Sequence, residues 1–288
     1  MKVHGVFILI LCFLFSGARA QRTDQQLTNQ ITELLKGFHG EAGVYIKNLR
    51  TNRTVAINAD TVFPTASIIK VSILVGIMNR IERGELAYHQ PFMYRDSLLY
   101  AGEDILGSFK NNESISLAKL ILLMLSTSDN TASLWLQSIA GTGSRINAIL
   151  DSAGFAITRV NSRTPGREGN RERYGWGQTS PFEMANLLEG IYRGRIVSEK
   201  ASKKMIRLLG RNYWDEQAIS SIPSTVFVAS KNGAVDASRS EVLLVMAKQP
   251  YILSLFTKNN TDKSWGDDNE AWVLAKKISA LVYDHYSK

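Results

Sequence analysis

Among 288 residues there is one cysteine, and there are only four histidines and six prolines. Cys12 sits inside an apolar run at residues 6–15, so the chain beyond it has no thiol. That excludes disulfides, cysteine-based metal sites and a cysteine nucleophile there. A lipid-anchoring cysteine would end such a run after a small residue, whereas Ile10 and Leu11 precede Cys12. A thiol-free product suits an oxidising compartment without requiring one. His39, His89 and His285 lie far apart, so neither a metal centre nor a cofactor is expected. The patterns G-x-S-x-G, H-E-x-x-H and G-x-x-x-x-G-K-[ST] are all missing. Repeats, low-complexity stretches and proline-rich linkers are missing too.

The N-terminus has the layout of a secretory leader. Lys2 supplies the positive start, the apolar run follows, and Ala18-Arg19-Ala20 is a small-x-small cleavage pattern. No other run of ten consecutive apolar residues exists, so the expected product is exported, periplasmic or extracellular, and free of the membrane after cleavage. The formal net charge is +8, and loss of Lys2 and Arg19 leaves +6. Lysines and arginines are scattered without aromatic-basic RNA-binding motifs, so no nucleic-acid partner is expected. About 268 mature residues suffice for one core, and a monomer is the expectation.

Hydrophobic periodicity divides the rest. Asp24 caps an expected helix with Leu27, Ile31, Leu34 and Leu35 on one face, ended by Gly37 and Gly40. Residues 43–46 and 54–57 flank a polar turn and read as a hairpin. Helical spacing covers 67–81, 116–125, 130–139, 143–152 and 199–209. Another helix starts at Ser180, with Pro181 at its first position and Glu183 three residues after the cap. Strands are expected at 225–229, ending at Lys231, and at 241–246 and 251–256, before a last helix over 269–286. Strands at both ends around a helical middle predict an α/β fold of the α+β type. Its antiparallel sheet would be flanked by the terminal helices. After a leader at 1–20, residues 21–288 would form one domain, with an α/β lobe at about 21–65 and 215–288 and an all-α lobe at about 66–214. The cleft between lobes is the expected site.

Three short motifs occur in order: Ser67-Ile68-Ile69-Lys70, Ser128-Asp129-Asn130 and Lys231-Asn232-Gly233. The first pattern is common, and Ser116-Leu117-Ala118-Lys119 repeats it, so the ordered set carries the argument. At a helix start, residues three apart share a face, which brings Lys70 within reach of Ser67. A serine hydroxyl needs a base to become a nucleophile. A lysine is such a base when burial or another cation, such as Lys231, disfavours its charge. A helix start also presents N–H groups to an anion. Ser128 suits proton relay to a leaving nitrogen, Asn130 suits a substrate amide, and Gly233 lets a substrate lie against a strand edge. Each motif alone also fits a plainer role: a capping serine before a surface lysine, a capping loop, and an Asn-Gly turn.

The trio resembles the motif set of class A serine β-lactamases and penicillin-binding proteins. Thr158-Arg159, Thr179-Ser180-Pro181 and Met184-Ala185 extend the likeness over nearly the whole mature chain. The resemblance implies the β-lactamase-like two-lobed fold and an acyl-enzyme at Ser67. Lys70 would activate the serine, and Ser128 with Lys231 would handle the leaving-group proton. Asn130, Asn232 and Gly233 would bind substrate, N–H groups of Ser67 and Ala234 would hold the oxyanion, and Arg239 would meet a substrate carboxylate.

Two positions depart from the family pattern. Asn232 stands where Thr or Ser is usual. The Glu-Pro-x-x-Asn element has no direct counterpart, since Thr164 precedes Pro165 and Glu168 is the carboxylate nearby, with Asn170 beyond it. Glu168 is therefore the candidate deacylating base, and its alternative is a surface pairing with Arg167 or Arg171. Three activities remain open. They are hydrolysis of a β-lactam, an exported peptidase or esterase acting on a peptidoglycan-like substrate that deacylates poorly, and a non-catalytic binder.

Overall fold

The computed structural model describes residues 22–100, 102 and 104–288. The expected leader and Cys12 lie outside the described residues. In chain order the strands are β1 (Arg22–Thr23), β2 (Glu41–Asn48), β3 (Arg53–Ile57), β4 (Phe63–Pro64), β5 (Pro91–Met93), β6 (Ser114–Ser116), β7 (Arg159–Val160), β8 (Gly177–Thr179), β9 (Val228–Val235), β10 (Ser238–Val245) and β11 (Tyr251–Lys258). The α-helices are α1 (Gln25–Leu35), α2 (Lys70–Glu82), α3 (Leu117–Leu122), α4 (Asn130–Ile139), α5 (Thr142–Ser152), α6 (Glu168–Tyr174), α7 (Pro181–Tyr192), α8 (Glu199–Leu209) and α9 (Glu270–Ser287).

The main sheet runs β1-β3-β2-β11-β10-β9. It is antiparallel except where β1 pairs with β3. Alternation along each strand sends residues to opposite faces. Val44, Ile46, Leu243, Val245, Leu253 and Leu255 join Leu27 and Ile31 of α1 and Trp272, Ile278 and Val282 of α9 in one core. Tyr45, Val242, Leu244, Ile252 and Phe256 face the other way, into a core shared with α2, α4 and α7. Two cores flank a sheet that is buried on both sides at its centre.

Local caps work as the sequence implies, with one change. Asp24 accepts the Leu27 N–H at 3.2 Å and also contacts His285 Nε2 at 3.0 Å, joining the two ends of the chain. Ser180 accepts the Glu183 N–H at 3.2 Å. The Glu183 carboxylate turns away from its own cap. It accepts the N–H groups of Ala156, Ile157 and Thr158 at 2.7, 2.9 and 2.6 Å, anchoring the approach to β7.

Three boundaries differ from the sequence-based expectation. A 3-10 turn, Ala66–Ile69, carries Ser67, and the α-helix begins at Lys70. The helix over 116–125 stops at Leu122 and widens into a π-helix, Leu123–Thr127. β9 starts at Val228, because Val226 N–H closes a turn on the Pro223 carbonyl at 2.9 Å. Pairing with β10 then carries the strand through Lys231, Asn232 and Gly233 to Val235. The third motif therefore lies in a sheet edge, not at a strand end or in a turn.

Candidate active site

The nucleophile turn and the sheet edge touch at Gly233. A Cβ there would lie 2.6 Å from the Thr65 carbonyl oxygen, 2.9 Å from Ser67 N and 3.0 Å from Ile68 N. Only glycine permits this approach without displacing backbone. On the other side of Ser67 stands Lys70, fully buried. Its Nζ lies 3.0 Å from Ser67 Oγ, 3.0 Å from Ser128 Oγ, 2.9 Å from Asn130 Oδ1 and 2.5 Å from the Ser128 carbonyl oxygen. A lysine nitrogen has at most three hydrogens to give, so four oxygens compete for them and the protons of this cluster are shared.

Ser128 reaches Lys70 through an unusual backbone. It follows the π-helix with φ +61°, in the left-handed region. Asp129 then caps α4, accepting Ala132 N–H at 2.7 Å, while its other oxygen accepts Ile105 and Leu106 N–H at 2.8 and 2.9 Å. Burial raises the Asp129 carboxyl above its ordinary value, against the pull of those N–H groups. Within the triplet, Ser128 and Asn130 face the lysine, and Asp129 holds the loop that carries them.

Lys231 is also fully buried, and its ammonium donates to the Asn232 carbonyl at 2.9 Å and to Asn232 Oδ1 at 3.1 Å. Asn232 therefore occupies the usual Thr or Ser position with its side-chain oxygen turned to the lysine. Ser67, Asn130 and Ala234 line one cavity of about 710 Å³ with Tyr100, Arg173, Trp176 and Lys258. Tyr100 and Trp176 meet edge to face at 5.1 Å. Sequence reasoning missed these four lining residues. They sit in loops or at an element end, where no periodicity marks them, and only the fold brings them together.

Like Lys231, Asn232 and Gly233, Arg239 is not among the residues that line the cavity. It is 1 % exposed, and its guanidinium donates to the carbonyls of Val235, Ser238 and Ser264 under the Trp265 ring, 4.4 Å from the ring centroid. Arg239 pairs with Ala234 beside the β9–β10 turn, and its bonds to the Val235 and Ser238 carbonyls close that turn. Glu168 does not line the cavity either. Exposed at the start of α6, it accepts Gly166 N–H at 3.1 Å and lines a separate recess of about 270 Å³ with Thr164 and Arg171.

The reason lies in how the 161–180 loop is tied. Gln178 Oε1 on β8 accepts Arg167 Nη2 at 2.8 Å and Asn170 Nδ2 at 2.9 Å, which turns the face bearing Asn170 inward. Thr164 donates to the Ser162 carbonyl at 2.9 Å and packs against Gly143 of α5. Among the described residues, no carboxylate lines the Ser67 cavity.

A buried serine–lysine–serine cluster beside a sheet edge, in a mixed sheet flanked by helices, defines a serine hydrolase of the acyl-enzyme type. Comparison with known proteins supplies the family. The model of the Beta-lactamase enzyme family matches residues 26–286, and the chain belongs to that family. It is a serine β-lactamase-like hydrolase. Among curated relatives, β-lactamase VEB-1 of Pseudomonas aeruginosa is 23 % identical, covering 99 % of this chain and 98 % of its own length. β-Lactamase SME-1 of Serratia marcescens is also 23 % identical, over 94 % and 93 %. The fold is that of PBP-A, solved as a mutant in an acyl-enzyme complex with penicillin-G. That similarity has TM-score 0.82 and 23 % identity, over 92 % of this chain and 98 % of that one. A β-lactamase from Sphaerobacter thermophilus gives TM-score 0.81 at 19 % identity, over 91 % and 98 %. No helix among the described residues is long and apolar enough to cross a membrane.

Proposed function

We propose that Ser67 is acylated by β-lactams and that release of the acyl group is the slow step. Ser67 Oγ attacks the lactam carbonyl carbon as its proton passes to the neutral Lys70 amine. The carbonyl oxygen becomes an oxyanion held by the N–H groups of Ser67 and Ala234. The C–N bond then breaks, and the ring nitrogen takes its proton from the Ser128 hydroxyl, which is replenished from Lys70. Asn130 and Gly233 orient the acyl side along the edge of β9, and Lys231 with Asn232 provides the positive end that receives the substrate carboxylate.

The observation that carries this reading is the pair of 3.0 Å contacts from one buried lysine to both hydroxyls. The cavity also sets a limit. Hydrolysis of the ester needs a base to activate water, and no carboxylate lines the cavity among the described residues. That same observation favours a second reading, an exported serine peptidase or esterase on peptidoglycan-like chains that β-lactams trap. In either case the protein acts as a monomer on the outer side of a membrane, without cofactor, and the two-lobed division of its single domain forms the cleft.

Intact-mass analysis with nitrocefin turnover tests the proposal. A covalent adduct should accumulate on the parent and vanish in Ser67→Ala, with a burst followed by slow turnover. Rapid turnover with no adduct refutes the slow-release step, and neither adduct nor turnover refutes the acylation chemistry.

A further inference from the structure

Residues 212–214, between α8 and β9, touch both sides of the proton path without lining the substrate cavity. The Tyr213 N–H donates to the Ser126 carbonyl at 3.0 Å, and Trp214 Nε1–H donates to the Thr127 carbonyl at 3.0 Å. Both acceptors belong to the π-helical turn that precedes Ser128. From the same stretch, Asn212 Nδ2 donates to Ser230 Oγ at 3.0 Å, and Asn212 Oδ1 accepts the Trp214 N–H at 3.2 Å. Ser230 is buried and immediately precedes Lys231.

These bonds address a specific mechanical problem. A left-handed serine is strained and persists only where its surroundings dictate it. The π-helix end leaves carbonyls that the following turn does not use, and a free turn there would let Ser128 rotate away from Lys70. Asn212 links the two halves, since its amide fixes the Trp214 backbone at one end and the residue before Lys231 at the other.

We propose that residues 212–214 form a positioning clamp that sets the Ser128 hydroxyl for proton delivery to the leaving nitrogen, with the Lys231 ammonium held beside it for the substrate carboxylate. The proposal rests on the role assigned above to Ser128. The clamp matters most where the leaving group cannot depart unprotonated, so amide substrates depend on it and activated esters do not.

The test compares the full-length parent with Trp214→Phe, which keeps an aromatic ring and removes the N–H donor, and with Asn212→Ala. Single-turnover acylation by nitrocefin separates non-covalent binding from the acylation step across pH. A p-nitroanilide and a p-nitrophenyl ester of one acyl group are run in parallel. Each variant should slow acylation by amides at least about tenfold, leave binding and ester acylation within about threefold, and displace the pH profile. The double variant should lose less than the product of the single losses, because both act on one device.

Equal losses on amide and ester, or amide acylation within about twofold of the parent on an unmoved pH profile, overturn the clamp. If Trp214→Phe fails to fold, Ser230→Ala carries the test, because it removes only the acceptor of Asn212; unchanged amide acylation in that variant overturns the clamp as well. A parent that ignores nitrocefin but cleaves the anilide refutes the β-lactam reading, and the clamp is then judged on the anilide-to-ester ratio. A parent inert to all three refutes both.

Discussion

Glu241 offers a direct measurement of what a buried charge costs this fold. It lies on β10, opposite Asn232 of the third motif, and is 1 % exposed. Oε2 accepts the Ala218 N–H at 2.8 Å, while Oε1 has no hydrogen-bond partner among the described residues. Burial pushes its pKa from 4.5 up to about 7, against the Ala218 and Ile219 N–H groups and the charge of Lys231. The folded carboxyl therefore holds its proton more tightly than the unfolded one. Its contribution is fully favourable below the unfolded value, is lost as pH rises through about 7, and is absent above that. At about 1.4 kcal/mol per tenfold change in proton affinity, the loss is about 3 kcal/mol. Glu241→Gln keeps an oxygen for Ala218 and cannot ionise. Urea unfolding should find the variant close to the parent near pH 4.5 and more stable by up to about 3 kcal/mol near pH 8, a difference of several degrees in Tm. Parallel stability–pH curves for parent and variant would refute the reasoning, because they would mean that Glu241 ionises in the folded state as easily as in water.

Gly233→Ala should abolish rapid acylation, since its Cβ would meet the Thr65 carbonyl and the Ser67 amide. A loss of at least about tenfold in the acylation constant is expected, and wild-type labelling would show that β9 moves freely against the nucleophile turn. Glu168→Gln should leave both acyl-enzyme formation and its lifetime within about twofold of the parent, because the carboxylate faces solvent outside the Ser67 cavity. A collapse of turnover in that variant would mean that the 161–180 loop delivers Glu168 to the acyl-enzyme.

Much of the secondary structure was legible because its causes are local. Asp24 and Ser180 cap helices through bonds three residues long, and the α4 and α8 spans follow from periodicity alone. Two motifs were legible as well: Lys70 meets Ser67 as their spacing implies, and Ser128 and Asn130 lie against Lys70 as the family resemblance implies. Legibility ended where a distant partner chose between local options. β9 begins only after the turn that Val226 closes on Pro223 and runs on to Val235 because β10 pairs with it, and the carbonyls of Val235, Ser238 and Ser264 hold the Arg239 guanidinium in the β9–β10 corner.

The sequence by itself determined which hydroxyl, amine and carboxyl groups the chain offers, and it set most of the helices and strands on which they ride, since those depend on side chains within one or two turns of each other. Tertiary structure alone decided where those groups point. Glu168 lies outside the Ser67 cavity because Gln178 on β8 ties the loop by Arg167 and Asn170, and Ser128 takes a left-handed turn whose preceding carbonyls meet residues more than eighty positions away. Such contacts leave no periodic trace in the chain, because the free energy that enforces them comes from packing between segments that meet only in the folded state.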